Sequence, residues 1–516
     1  MYRKMTLVRS TARPDAVAVF LPDPTTDLPA GYRELDAATG SALTAALARQ
    51  ELSLDRGAIT TLYPTTGPGR VMICGLGKPE RFEPNAVRAA GSRLARAAHA
   101  AGVKRLRVDP APGVGEQAKQ LATDGLGQAL AEGLMAGAFN FDRFKGAAVG
   151  SKKDDAGDAL ALQAPAELTD GLERGLAVGH GQRTARELAA TPPNVANPRY
   201  LVQQCRRLAR EHAGLTCTII DAAKAKELGM GGLLAVGRAG STPPAVIVLT
   251  WKGGQRAGGG GGGGGGGPVM LVGKAVTFDT GGYSIKPGAS MAGMKYDKCG
   301  GAAVIGAMEA IARTKLATHV VGVVPTAENL IDHTAFRPDD ILTLANGVTV
   351  EVGNTDAEGR LILADALAWG TKRYKPRAVI DLATLTGGVV VALGRFCAGY
   401  MATDDALAAA LEQAATSSGE KLWRLPLWDE HREQVRGSHA DILNAAGRDG
   451  HPLQGGAFLS YFVGEDAPQR MPTLPWAHID IAGMAKAESD GDGGGVYGKG
   501  PTGYGVRLLV EAVGRV

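Results

Sequence analysis

Residues 268–301 read PVMLVGKAVTFDTGGYSIKPGASMAGMKYDKCGG. Val269–Val276 is apolar apart from Gly273 and Lys274, runs into Thr277-Phe278-Asp279, and stops at Gly281-Gly282. A short, continuous apolar run bounded by turn residues describes a strand buried on both faces. From Gly300 to Arg313 the pattern becomes helical, THVVGVVPTA (318–327) returns to a strand, LILADALAWGTKRY (361–374) reads as a helix, and AVIDLATLTG (378–387) as another strand. Between them DDILTLANGVTVEV (339–352) predicts a hairpin whose Asn346-Gly347 pair signals a type I′ turn. Buried strands alternating with helices make this an α/β chain with a mixed sheet flanked by helices on both faces.

Upstream, short apolar runs from Asp15 to about Pro165, among them AVAVFL and VMICGLG, alternate with alanine-rich stretches of helical period. That pattern predicts a smaller β/α/β domain. Asp170 to Ala190 reads as a linking helix stopped by Thr191-Pro192-Pro193, because proline cannot continue the hydrogen-bond ladder. The expected organisation is an N-terminal α/β domain over 1–165, a boundary over 166–195 and a catalytic domain over 196–516. Gly75-Leu76-Gly77 lacks the third glycine of a dinucleotide loop and reads as a tight turn. The ten glycines Gly258–Gly267 predict a solvated loop.

Composition bounds the function. The 516 residues carry 56 basic and 52 acidic side chains, a formal charge of +4 without a basic stripe, so nucleic acid is not called for. No apolar run suits a signal peptide or a membrane span, and the chain reads as cytosolic. Five scattered cysteines without metal-ligand spacing fit a reducing compartment.

Chemistry concentrates between Lys274 and Arg360. Lys274 and Asp279 flank a strand end, Lys286 follows the Gly-Gly turn, Asp297 precedes a helix, and NTDAEGRLILADAL (354–367) places Asp356, Glu358 and Arg360 two residues apart. In an extended segment those three side chains leave one face. Carboxylates converging at sheet ends repel one another unless cations lie between them. Either they pair with Lys274, Lys286 and Arg360, or they hold metal. Oxygen ligands without a histidine nearby suit Mn²⁺, Mg²⁺, Co²⁺ or Zn²⁺. Two such ions about 3.5–4 Å apart acidify a shared water and make hydrolysis the expected reaction.

The strings VGKAVTFDTGGYSIKP, MKYDKCGGAA and NTDAEGRLILADAL resemble the diagnostic motifs of the leucine aminopeptidases, the cytosolic aminopeptidase A group of metallopeptidases. The resemblance runs from about Arg186 through WRLPLW, ADILNAAGR and PWAHIDIAG to the C-terminus, with a fainter match at VMICGLGK and FDRFK. It implies a two-metal aminopeptidase acting on peptides, with Lys274, Asp279, Asp297, Asp356 and Glu358 as ligands. Asp279 and Glu358 would bridge both ions, and Lys274 would ligate as a neutral amine. Lys286 would polarise the scissile carbonyl, and Arg360 would hold a bicarbonate acting as general base. An apolar pocket of Met294, Thr384, Gly387 and Ala482, with the backbone of Leu385 contacting the peptide, would favour leucine-like N-terminal residues. The resemblance further implies a homohexamer. Two other readings use the same residues: a two-metal phosphoesterase, which would call for histidines or more arginines nearby, and a non-catalytic or DNA-binding relative, which the near-neutral charge does not favour.

Overall fold

The computed structural model describes residues 1–9, 13–114, 123–149, 158–253, 266–490 and 492–516. Most of the glycine tract, 258–265, lies outside them. The chain divides into two compact units, Met1–Arg183 with Ala487–Gly500, and Thr184–Lys486 with Pro501–Val516.

The first unit holds a six-stranded sheet of β1 (Tyr2–Leu7), β2 (Ala16–Pro22), β3 (Ile59–Leu62), β4 (Val71–Gly77), β5 (Arg105–Asp109) and β6 (Asp158–Gln163), ordered β1-β6-β5-β2-β4-β3. Every neighbour pair is parallel except β3–β4. Helices Pro84–Ala100 and Thr123–Gly137 cross closely, since a methyl on Gly137 would lie 2.0 Å from the Ser92 carbonyl. An Arg88–Glu132 pair at 2.7 Å is sealed between them.

The second unit is built on a nine-stranded sheet. Its strands, with a small accessory sheet, are β7 (Leu215–Ile220), β8 (Ala245–Trp251), β9 (Val269–Gly273), β10 (Ala275–Asp279), β11 (Val320–Asn329), β12 (Ile341–Thr343), β13 (Thr349–Glu351), β14 (Ala378–Ala383), β15 (Ala398–Ala402), β16 (Leu422–Arg424), β17 (Ile442–Leu443) and β18 (Trp476–Asp480). The large sheet is ordered β16-β15-β18-β14-β9-β11-β8-β7 with β10 paired to β11, and β12-β13-β17 form the small one. The central run β18-β14-β9-β11 is parallel. Val269–Gly273 is buried throughout, as a strand covered on both faces must be. Gly322 of β11 faces Met308 and Val304 of the helix Cys299–Thr314, while Val321 and Val323 join the core formed with the helix Glu358–Tyr374. Successive residues of a strand face opposite sides, so the two helices cover opposite faces.

The turn at Asn346-Gly347 differs from the type I′ expectation. Only Gly347 has positive φ (88°), the Gly347 amide donates to the Leu344 carbonyl at 2.8 Å, and the Leu344 amide to the Val348 carbonyl at 3.0 Å. Asn346 has its amide committed to the Tyr461 carbonyl at 3.0 Å, so the turn is the longer kind with one left-handed residue.

Candidate metal centre

The carboxyl ends of parallel strands leave backbone groups and side chains pointing into one crevice. Lys274 joins β9 to β10, with its amide donating to the Leu382 carbonyl (3.1 Å) and its carbonyl accepting from Gly301 (2.6 Å). That last bond requires the helix Cys299–Thr314 to start against the sheet, and only glycine permits it: a methyl on Gly300 would sit 2.2 Å from the Leu382 carbonyl oxygen. The approach brings Asp297, in the 3₁₀ turn Met294–Lys298, to the strand ends. Asp279 closes β10, and its Oδ1 accepts from the Gly281 amide (2.9 Å) and the Asn329 side chain (2.8 Å). Asn329 also donates to the Thr355 carbonyl (3.1 Å), tying β11 to the segment that carries Asp356.

Two lysines run between these acids. Lys274 Nζ lies 2.8 Å from Asp297 Oδ1, 2.8 Å from Glu358 Oε1 and 3.0 Å from the Thr384 carbonyl. Lys286 Nζ lies 2.9 Å from Asp279 Oδ2 and 2.5 Å from Asp356 Oδ1. One oxygen from each of Asp279, Asp356 and Glu358 falls within 4.8 Å of the others. Burial, the neighbouring acids and too few cations push Asp356 up to about 7, and Asp297 and Glu358 above the ordinary carboxylate range. Burial opposes the charge on Lys274 and Lys286, but the surrounding carboxylates outweigh it and raise both.

Fully ionised, these four carboxylates and two ammonium groups carry −4 and +2. Asp297 Oδ2 and Glu358 Oε2 are buried without a hydrogen-bond partner. Bare buried carboxylate oxygens in a net negative cluster are what a cation site offers. Oxygens with one amine nitrogen suit divalent ions of hard to borderline character, so the residues fit a metal pair.

Thr384 joins the group as well, donating from Oγ1 to Asp297 Oδ1 at 2.8 Å. Met294 opens the turn that carries Asp297, Leu385 and Ala482 lie on loops after β14 and β18, and Gly387 begins the helix Gly387–Leu393. The single extended face expected for Asp356, Glu358 and Arg360 does not form. The helix Glu358–Tyr374 begins at Glu358, so Arg360 lies in its first turn. Its guanidinium donates to the Asn444 carbonyl at 2.6 Å, sits 5.9 Å from the Phe458 ring, and keeps a buried, unpartnered Nε. Burial lowers Arg360 to about 10, against the pull of Glu358 and Asp480. Asn329, Asn444 and Asp480 carry no local signal in the sequence, since each has at least one partner fifty or more positions away.

A family model described as the cytosol aminopeptidase family, catalytic domain, matches residues 183–510, and the family's N-terminal domain matches 16–147. The chain belongs to the cytosol aminopeptidase family. Among relatives, a probable cytosol aminopeptidase of Azoarcus sp. (strain BH72) is 39% identical over 95% of this chain and 93% of its own length. One of Syntrophotalea carbinolica is 41% identical over 87% of each. Among solved structures, the bottromycin maturation enzyme BotP in complex with Mn superposes with TM-score 0.81 at 31% identity, covering 97% of this chain and 99% of BotP. A mutant of tomato leucine aminopeptidase gives 0.83 at 31%, covering 99% and 96%. The protein is therefore an aminopeptidase of a metal-dependent family, with peptides rather than phosphoesters as substrates. Among the described residues no helix is long and apolar enough to cross a membrane.

Proposed function

We propose that the chain is a two-metal aminopeptidase that removes N-terminal, preferentially leucine-like residues from peptides. The convergence of Asp279, Asp356 and Glu358 within 4.8 Å carries this reading. Asp279, Asp356 and Glu358, together with Lys274 and Asp297, would hold the pair. A pair of divalent ions, Mn²⁺ or Zn²⁺ with Co²⁺ or Mg²⁺ also suited, supplies when bound an acidified water and positive charge facing the developing oxyanion. Lys274 must give up its proton to serve as a ligand, so its deprotonation accompanies metal uptake.

Lys286 keeps its proton. With Asp279 and Asp356 neutralised otherwise, its ammonium is released to donate to the scissile carbonyl and stabilise the oxyanion. Arg360 offers its unpartnered Nε to an anion, for which bicarbonate, acting as general base, is the proposed occupant. Met294, Thr384, Gly387 and Ala482 form the side-chain pocket, and the Leu385 backbone contacts the peptide. An apolar wall rewards about 25 cal/mol per Å² of buried side chain, hence the preference for leucine over alanine. The reading extends to a homohexamer working in the cytoplasm, which sedimentation and cell fractionation test.

Hydrolysis of leucine p-nitroanilide decides the matter. Chelation should abolish it, Mn²⁺ or Zn²⁺ should restore it, and Lys286→Ala should lower kcat roughly 10²–10³-fold, the size expected for loss of an oxyanion donor. Metal-independent turnover, or full activity in Lys286→Ala, would rule the mechanism out.

A further inference from the structure

Asp480 ends β18, is 1% exposed, and takes its hydrogen bonds from Leu385, Thr386 and Ala482 rather than from any proposed metal ligand. Its carboxylate nevertheless ties two loops together. Oδ1 accepts from the amides of Leu385 (3.1 Å) and Ala482 (3.1 Å), while Oδ2 accepts from the Thr386 amide (3.0 Å) and hydroxyl (2.6 Å). Four donors converge on one side chain, so it must be an ionised, acceptor-only carboxylate. Leu385 and Ala482 belong to different loops, after β14 and after β18; Ala482 is a proposed pocket residue, and Leu385 lies between the proposed pocket residues Thr384 and Gly387.

The anchor is rigid and the loops reach the metal cluster. Trp476, His478 and Asp480 alternate along β18 on one face. The first two are locked to Asp381 of β14, through Trp476 Nε1 at 2.7 Å and His478 Nδ1 at 2.6 Å. In front of Asp480, Thr386 Oγ1 accepts from the Val389 amide at 3.2 Å and so caps the helix Gly387–Leu393. Thr384 binds Asp297 through its hydroxyl and Lys274 through its carbonyl. A displacement of the 384–387 loop therefore moves one wall of the pocket relative to both the other wall and the cluster.

We propose that Asp480 is a positioning residue that sets substrate selectivity, by holding the 384–387 segment and Ala482 at a fixed separation across the side-chain pocket. The proposal rests on the aminopeptidase reading. Asparagine has nearly the same shape but one accepting oxygen, so the two donors on the replaced oxygen lose their acceptor and face an amide N–H₂ instead. Leucine, which fills the pocket, loses more than alanine, which does not.

The test measures kcat and KM for leucine and alanine p-nitroanilides, together with bound metal per chain, in the wild type, Asp480→Asn, Thr386→Val and Thr386→Ser. In Asp480→Asn the leucine-to-alanine ratio of kcat/KM should fall about tenfold, mainly through KM for leucine, with metal content as in the wild type. Thr386→Val, which removes one of the four donors, should give about a threefold fall, and Thr386→Ser should restore the ratio. A folded Asp480→Asn with the wild-type ratio overturns the proposal, as does an equal loss for both substrates. If Asp480→Asn does not fold, an unchanged ratio in Thr386→Val overturns it equally. Wild-type protein that cleaves neither substrate with Mn²⁺ or Zn²⁺ present refutes the aminopeptidase reading instead.

Discussion

Gly359 offers a sharp test of where Lys274 must stand. It occupies the first turn of the helix Glu358–Tyr374, where alanine is ordinarily favoured by about 1 kcal/mol. Here a methyl would lie 2.4 Å from Lys274 Cε and 2.5 Å from its Nζ, against an ordinary contact of 3.4 Å or more. The lysine must move by about 1 Å, which stretches bonds of 2.8, 2.8 and 3.0 Å to Asp297, Glu358 and Thr384 beyond hydrogen-bond range. Breaking a buried charge pair costs about 3–5 kcal/mol, so Gly359→Ala should destabilise the metal-free protein by about 2–4 kcal/mol once the helix gain is subtracted. Its metal affinity should fall as well. All five tryptophans (251, 369, 423, 428 and 476) lie in the second unit, so urea unfolding followed by tryptophan fluorescence reports that unit alone. A variant about 1 kcal/mol more stable than wild type, with undiminished metal binding, would show that Lys274 is free to leave the cluster.

Asn329→Ala removes the donor shared by Asp279 and the Thr355 carbonyl. It should cost about 1–3 kcal/mol in the same urea assay and weaken metal binding roughly 10–100-fold by calorimetry. Glu309 supplies a pH test. Burial would raise it, but the His212 imidazole, the Thr184 hydroxyl and the Arg313 guanidinium (2.8 Å) hold it down to about 2. A depressed carboxyl stabilises above its unfolded value near 4.3 and loses that stabilisation as pH falls toward the folded one. Wild-type stability should therefore drop by about 2 kcal/mol between pH 4.5 and 2 on this account alone, and Glu309→Gln should flatten that limb of the stability curve.

Strands buried on both faces were legible because their apolar runs are short, as in Val269–Gly273 and Ala378–Ala383. The acids and lysines of the cluster were legible for a related reason: charge at the end of such a strand, beside glycines, has to meet a counter-charge. What local pattern could not carry was reach. Asn329 and Asp480 are single polar residues at strand ends whose partners arrive from other segments. The segment Ala487–Gly500 returns to the first unit without any periodicity that announces it. Arg360 departs from its expected face because the glutamate two residues earlier already begins a helix, replacing a repeat of two by one of 3.6. At Asn346 the side chain, engaged with the Tyr461 carbonyl, selects the turn over the dipeptide's usual preference.

Counting metal ions is the most direct check on the cluster as a paired cation site. Full-length protein saturated with Mn²⁺ or Zn²⁺ and freed of excess should carry two ions per chain, by native mass spectrometry with elemental analysis. Asp356→Asn and Glu358→Gln should each carry fewer, with leucine p-nitroanilide hydrolysis lost in step. Two ions retained in Glu358→Gln, or full turnover by the metal-free chain, would contradict it.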